Sequence, residues 1–235
     1  MLRLYIANKN YSSWSMRAWV LLTQAGIEFE EVMVRFGANT FDADSAFKTA
    51  MLAVNPAGQV PVLDDDGLVI WDTLAIAEYV AEKYPDLQLW PQDVKARARA
   101  RSICAEMHAG FGALRSTCPM NIEASLPLMG ALAWRDKPAV RSDVQRLVEM
   151  WTSLLDQYGG PLLFGQFSVA DAYFAPVCMR LKTYQLPVPA HITAYIGRVC
   201  ALPGVKAWVD QAMAEHDFVV ADEPYRTRPQ SQMLI

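Results

Sequence analysis

Strand-like alternation in this 235-residue sequence stops at Tyr84. Before that point short apolar runs interleave with helical ones. After Pro85-Asp86-Leu87-Gln88-Leu89-Trp90-Pro91, a proline-bounded connector, the apolar spacing is helical almost to the end. A chain divided in this way predicts an α/β domain over residues 1–84, a linker over 85–92, an all-helical domain over 93–217 and a polar tail over 218–235. At 53% hydrophobic composition each half has material for its own core.

The charge balance narrows the function. Twenty-one basic against 25 acidic residues give a formal charge of -4, which supplies no global field for nucleic acid or an anionic membrane. Arg97, Arg99 and Arg101 lie close together, but their alternation spreads them over a helix surface. Cys104, Cys118, Cys178 and Cys200 form no Cys-x-x-Cys and have no metal-ligand spacing with His108, His191 or His216. No metal is expected, and a reduced, cytoplasmic chain fits best. The first residues read as a strand and not as a leader, and no apolar run reaches the roughly 18 residues of a membrane span.

In the first half, Leu2 to Ala7 reads as a buried strand and Ser15 to Ala25 as a helix closed by Gly26. Between them lies Asn8-Lys9-Asn10-Tyr11-Ser12-Ser13-Trp14-Ser15-Met16-Arg17, which sets serines beside the unpaired N–H groups of a helix start. The first turn carries about half a positive charge, so a thiolate or carboxylate is stabilised there and a hydroxyl can donate one more bond to it. The plain alternative is that a serine is only the N-cap. Ile27 to Phe36 reads as a second strand, which makes a parallel strand–helix–strand unit with its site outside the carboxyl end of the first strand. Asp42 to Leu52 forms a helix with Lys48 on one face.

Asn55 to Leu63 is a turn entering a strand through Val60-Pro61. A trans proline simply ends the turn; a cis one would let the Val60 main chain pair with a peptide-like ligand. Asp64-Asp65-Asp66-Gly67 is a hairpin turn to a strand at Leu68 to Trp71. Asp72-Thr73 then starts a helix, either as caps or as a pair that holds a ligand ammonium and carboxylate. In the second half one long helix is expected from Asp93 to Thr117. His108, Phe111 and Arg115 share a face of it, either lining a pocket with an aromatic wall, a titratable group and a cation, or packing within or between subunits. A loop with Pro127 and Pro138 leads to a helix over Ala139 to Tyr158. Ser168-Val169-Ala170-Asp171 is a capping box, and helices follow over Ala190 to Ala201 and Pro203 to Glu215.

This order of elements resembles the cytosolic glutathione transferase family, a thioredoxin-like domain joined to an all-α helical domain. The resemblance spans nearly the whole chain. It rests on Ser12-Ser13-Trp14-Ser15-Met16-Arg17, Asn55 to Leu63, Asp72 to Ile76 and Ser168 to Asp171. The serine stretch is similar to the Ser-Ser-Cys-Ser of zeta-class members, with Trp14 where that pattern has cysteine. This departure argues against zeta-type isomerisation, and the missing loop cysteine argues against omega- and beta-type reductase or dehalogenase chemistry.

The resemblance implies glutathione as co-substrate and a small electrophile as partner, conjugated or isomerised, in a homodimeric detoxification enzyme. Ser12 falls where the family's thiol-activating serine sits, five residues before Arg17, with Ser13 beside it. Trp14, Lys48, Val60, Pro61, Asp72 and Thr73 fall in the implied glutathione site: Val60 on the cysteinyl backbone beside a cis Pro61, Asp72 and Thr73 on the γ-glutamyl end, Lys48 near the glycyl carboxylate. Tyr11, His108, Phe111 and Arg115 are left for the electrophile pocket, and Tyr11 is a lesser candidate for activator. A non-catalytic glutathione carrier or structural protein is the alternative.

Overall fold

The computed structural model of the chain describes residues 1–37, 39–40 and 42–227. The first half runs β1 (Leu2–Ile6), α1 (Ser13–Gln24), β2 (Glu30–Met33), α2 (Ala46–Leu52), β3 (Val62–Asp65), β4 (Leu68–Trp71) and α3 (Thr73–Lys83). The strands lie in the order β2-β1-β3-β4, with β1 parallel to β2 and antiparallel to β3, and β3 antiparallel to β4. The parallel pair needs a crossover, and α1 supplies it.

The alternation of side chains decides which helix covers which face. Leu4 and Ile6 of β1 point into the main core with Val20 and Leu21 of α1 and Ile76 and Val80 of α3, whereas Tyr5 and Ala7 point to the other face, against Phe47 and Met51 of α2. In the hairpin between β3 and β4, Asp66 and Gly67 both have positive φ, at 49° and 95°, the turn geometry that matches strand twist.

The second half contains α4 (Val94–Ala109), α5 (Gly112–Thr117), α6 (Pro127–Asp136), α7 (Pro138–Tyr158), α8 (Val169–Thr183), α9 (Ala190–Ala201) and α10 (Pro203–Glu215). α8 is apolar around nearly its whole circumference and is buried from Val169 to Leu181, as a helix without a polar face must be. It packs on α1, α4 and α9, and α10 packs on α1 as well, so one continuous core joins Leu4 and Val20 to Phe174 and Trp208. The box at its start is formed on the acid's side: Asp171 Oδ2 accepts the Ser168 N–H at 3.0 Å, and its Oδ1 takes the Leu163 N–H at 3.2 Å. Complete burial pushes the Asp171 carboxyl up to about 6.

Several elements differ from the sequence expectation. α1 begins at Ser13, because Ser12 is the residue that caps it, and β2 covers only Glu30–Met33 of the expected Ile27 to Phe36. The helix expected over 93–117 is two helices. A Cβ on Gly110 would lie 2.7 Å from the Glu106 carbonyl oxygen, and Phe111 turns the chain with φ 56°. α6 fills part of the expected loop: Pro127 and Pro138 are first-turn residues of α6 and α7, where the missing N–H costs nothing. The segment after α10 folds back onto the body, with Glu223 and Arg226 buried, while residues 228–235 of the expected tail lie outside the described residues.

Candidate functional site

A cleft of about 580 Å³ opens between the two halves, a size common to small-molecule sites. Its floor is the meeting of three element ends: the start of α1, the turn before β3 and the start of α3. Ser12 caps α1, its Oγ accepting the Ser15 N–H at 3.4 Å and donating to Ser15 Oγ at 2.7 Å; Ser15 Oγ takes the Ala7 N–H at 3.1 Å. These bonds tie Ala7, the residue after β1, to the first turn of α1. The hydroxyl rotates about its Cβ–Oγ bond, so its proton has more than one place to go.

Val60 and Pro61 form the second edge, joined by a cis peptide bond. Neither the N–H nor the C=O of Val60 has a backbone or side-chain partner among the described residues. Lys48 reaches across from α2, its Nζ donating to the carbonyls of Ala57 at 2.8 Å and Gly58 at 3.3 Å. At Gly58, φ is +59°, a conformation that favours glycine, and a Cβ there would lie 2.8 Å from that Nζ and displace the lysine end.

At the third edge Asp72 caps α3 with φ 76°, a backbone conformation an aspartate adopts only under constraint and at a cost of about 1–3 kcal/mol. Its Oδ1 accepts the Leu74 N–H at 2.8 Å, and its Oδ2 lies 3.3 Å from His108 Nε2. Thr73 is buried with its Oγ1 2.6 Å from the Tyr173 hydroxyl, which in turn lies 3.1 Å from His108 Nδ1. Asp72, His108, Tyr173 and Thr73 thus close a ring of polar contacts between α3, α4 and α8.

The helical wall carries cations on aromatic faces. Trp14 meets His108 edge-on with centroids 4.9 Å apart, and the guanidinium carbons of Arg17 and Arg115 sit 4.2 and 5.0 Å from its ring centroid. Arg115 is held by the carbonyls of His108 and Gly110, at 3.1 and 3.4 Å, where α4 ends. Arg17 is fully buried, and its Nη1 has no partner among the described residues; burial pulls its guanidinium down to about 10. Burial does the same to Arg180, to about 9, with the charges of Arg17 and Arg115 adding to it.

Nine of the residues singled out in the sequence therefore line one cleft: Ser12, Trp14, Lys48, Val60, Pro61, Asp72, Thr73, His108 and Arg115. Three do not. Ser13 faces the helical core and takes a hydrogen bond from Arg180 Nη2 at 3.3 Å. Tyr11 turns to the C-terminal segment, its hydroxyl donating to Glu223 Oε1 at 2.6 Å, and burial together with that carboxylate raises its pKa far above the usual tyrosine value. Phe111 is buried in the core at the break between α4 and α5.

Sequence reasoning missed Phe36 and Phe47, which pack edge-on across the far side of the cleft, and Trp71 at the end of β4. It also missed Tyr173, which an apolar helix hides among core residues. The cysteines are free and lie outside the cleft lining, and burial raises all four thiols, Cys118 to about 11. Among the described residues no group of His, Cys, Asp and Glu is placed to hold a metal ion, and no helix is long and apolar enough to cross a membrane.

Chemically, the arrangement offers a hydroxyl and a helix start for an anion, two unpaired peptide groups for an extended backbone, an acid for an ammonium and cations above an aromatic face. Comparison with known proteins bears on what occupies it. Residues 11–83 match the family model described as the glutathione S-transferase N-terminal domain, and residues 97–211 match the one described as its C-terminal domain. The rat maleylacetoacetate isomerase is 28% identical over 182 residues, covering 77% of this chain and 80% of that one. Glutathione S-transferase F14 of Arabidopsis thaliana is 30% identical over 196 residues, 81% of this chain and 71% of that one. Among solved structures, a glutathione transferase homologue from Burkholderia with bound glutathione superposes with a TM-score of 0.69 at 26% identity, over 91% of this chain and 98% of that one.

Proposed function

The chain belongs to the glutathione S-transferase family, and from that membership we propose that it binds glutathione in the cleft and activates its thiol as a thiolate for attack on a small electrophile, by conjugation or isomerisation. The observation that carries this reading is the convergence of Ser12, the unpaired Val60 peptide groups and the Asp72-Thr73 start of α3 on one cavity.

A tripeptide laid along that floor finds a partner for each of its parts. The Val60 N–H and C=O pair with the cysteinyl backbone, as one strand pairs with another. Asp72 takes the γ-glutamyl ammonium through the carboxylate oxygen that now faces His108, and the N–H groups at the start of α3 take the γ-glutamyl carboxylate. Lys48 has a third donor left for the glycyl carboxylate. The sulfur then falls at the head of α1.

A free thiol of this kind has a pKa of about 8.5, so only a few per cent is ionised at neutral pH. Lowering the value by about two units requires roughly 2.7 kcal/mol of preferential thiolate stabilisation. Rotation of the Ser12 hydroxyl from Ser15 to sulfur supplies about 1.5 to 3 kcal/mol, and the helix start up to about 2. The thiolate attacks an electrophile held against Trp14, with Arg115 available for a carboxylate or carbonyl oxygen. Trp14 stands where the zeta-class pattern has cysteine, a departure that weighs against zeta-type isomerisation. A homodimer packed through α3 and α4 and a cytoplasmic setting belong to the same proposal by family analogy.

The test is the ultraviolet thiolate band of bound glutathione. It is expected at neutral pH with the unaltered protein and absent with Ser12→Ala, which still binds glutathione. A band missing from the unaltered protein would leave a carrier; a band retained in Ser12→Ala would move the role to main-chain N–H groups.

A further inference from the structure

The residues between β1 and Ser12 are Ala7, Asn8, Lys9, Asn10 and Tyr11, all 6% exposed or less. A polar loop at a strand end belongs on the surface unless something else satisfies its backbone. Here the helical half does so. Glu215 Oε2 accepts the Lys9 N–H at 2.8 Å and the Asn10 N–H at 3.4 Å, the Trp208 indole donates to the Lys9 carbonyl at 3.0 Å, and the Ile122 N–H donates to the Asn10 carbonyl at 3.3 Å.

The segment that follows α10 grips the same loop through side chains. Asn8 Nδ2 donates to Asp217 Oδ2 at 2.7 Å, and the Tyr11 hydroxyl donates to Glu223 Oε1 at 2.6 Å while receiving the Val219 N–H at 3.4 Å. Glu223 is itself fixed by Arg226 and by Asn121 Nδ2 at 2.9 Å, and Arg226 reaches on to Glu123 at 3.2 Å. Burying such an ion pair is a poor way to gain stability, since apolar side chains of similar volume do as well. What it does supply is one position for the groups it holds. The loop passes that position on: both Tyr11 and Ser12 donate their N–H to the Asn8 carbonyl, at 3.1 and 2.9 Å.

We propose that residues 215–226 are a positioning strap for Ser12, acting through Glu223 on Tyr11 and through Glu215 and Asp217 on the loop behind it. The inference rests on the reading of Ser12 as hydrogen-bond donor to the thiolate. It assigns Tyr11 a positioning role, not an activating one, and gives the buried Glu223–Arg226 pair a task in catalysis at a distance from the cleft. An error of about 1 Å in the placement of a reacting group is enough to lose on the order of a hundredfold in rate, so a strap of this kind is worth its buried charges.

The experiment titrates the thiolate band of bound glutathione against pH in the full-length protein and in Tyr11→Phe, Glu223→Ala, Glu223→Gln and Ser12→Ala. Tyr11→Phe removes one oxygen and Glu223→Ala removes its acceptor. Both are expected to weaken the Ser12 bond to sulfur and so to move the titration midpoint upward by about half a pH unit, about threefold in thiolate fraction, with glutathione affinity changed by less than about threefold. Glu223→Gln keeps an amide oxygen for Tyr11 and is expected to move the midpoint less than half as far. A strap with a purely structural role would lower the thermal midpoint and leave the titration where it was. An unmoved midpoint in both Tyr11→Phe and Glu223→Ala, with the band present in the unaltered protein and lost in Ser12→Ala, overturns the strap and spares the Ser12 reading. A band that survives Ser12→Ala overturns that reading and the strap with it. Should Glu223→Ala not fold, Tyr11→Phe decides alone.

Discussion

Helices α1 and α3 both open onto the cleft with a side chain closing the first turn, yet they do so in opposite ways. Ser12 at the head of α1 is neutral, 5% exposed and tied to Ser15 and, through the Asn8 carbonyl, to a buried loop. Asp72 at the head of α3 is charged, sits at φ 76° and leaves 43% of its side chain exposed. Under the proposed function, the difference matches what each end would receive. A sulfur anion gains most from a dry donor and a helix start, with no fixed countercharge to bind it too tightly. A zwitterionic amino-acid end needs an acid beside N–H groups and keeps its remaining hydration at the cleft mouth.

The largest break in this comparison is Ser12→Ala, expected to lower kcat about a hundredfold while the KM for glutathione stays within about threefold. Loss of the N-cap itself costs about 1 kcal/mol, or about 2–4 °C in Tm, so the variant remains folded. Steady-state kinetics at saturating electrophile would check it; equal changes in kcat and KM would mean that the two helix starts are not specialised. Asp72→Asn is the converse: the amide still caps α3, and the KM for glutathione is expected to rise about tenfold or more with kcat little changed.

Smaller is the effect of Arg115→Ala, which sharpens the comparison from the other wall. Turnover of carboxylated electrophiles should fall about tenfold further than that of neutral ones of similar size; an equal loss on both classes removes Arg115 as an anion holder. The smallest effect concerns the proposed strap behind α1. Burial, with Glu223 adding repulsion, pushes the Asp222 carboxyl up to about 6 from an ordinary 3.8. Between those values the folded chain holds a proton that the unfolded chain has lost, so this group's contribution to stability falls as pH rises through the window. Asp222→Asn, uncharged throughout, is therefore expected to gain Tm relative to the unaltered protein at pH 7 and to show little difference near pH 4. The opposite ordering in a thermal scan at the two pH values would refute it.

Local signals in the sequence were enough for most of the cleft floor. Ser12 and Asp72-Thr73 sit where a turn or strand meets a helix and Val60-Pro61 where a turn meets a strand, and such junctions announce themselves in composition. What the sequence did not carry was direction. Tyr11 and Ser13 flank Ser12, but Tyr11 is turned away by Glu223 from a distant part of the chain, and Ser13, one helical step on, faces Arg180 of α8. Phe111 was placed beside His108 by a spacing that assumes an unbroken helix, and Gly110 breaks it.

The missed α6 shows the same limit in the fold. Pro127 at its start and Pro138 just past its end read as a loop, yet a Cβ on Gly130 would lie 1.7 Å from the Tyr184 carbonyl oxygen. That glycine is there so that α6 can lie against the end of α8, a contact that no local pattern encodes.

Tyr11 and the carboxylate that holds it are 212 positions apart. During synthesis the first half emerges early and has all the residues of its own sheet, but the loop ahead of Ser12 lacks its anchors until the final stretch has left the ribosome. A chain cut short near Glu215 would then own every residue of the proposed glutathione floor and still hold its serine loosely. The proposed activation of the thiol would thus wait for residues 215–226 to dock.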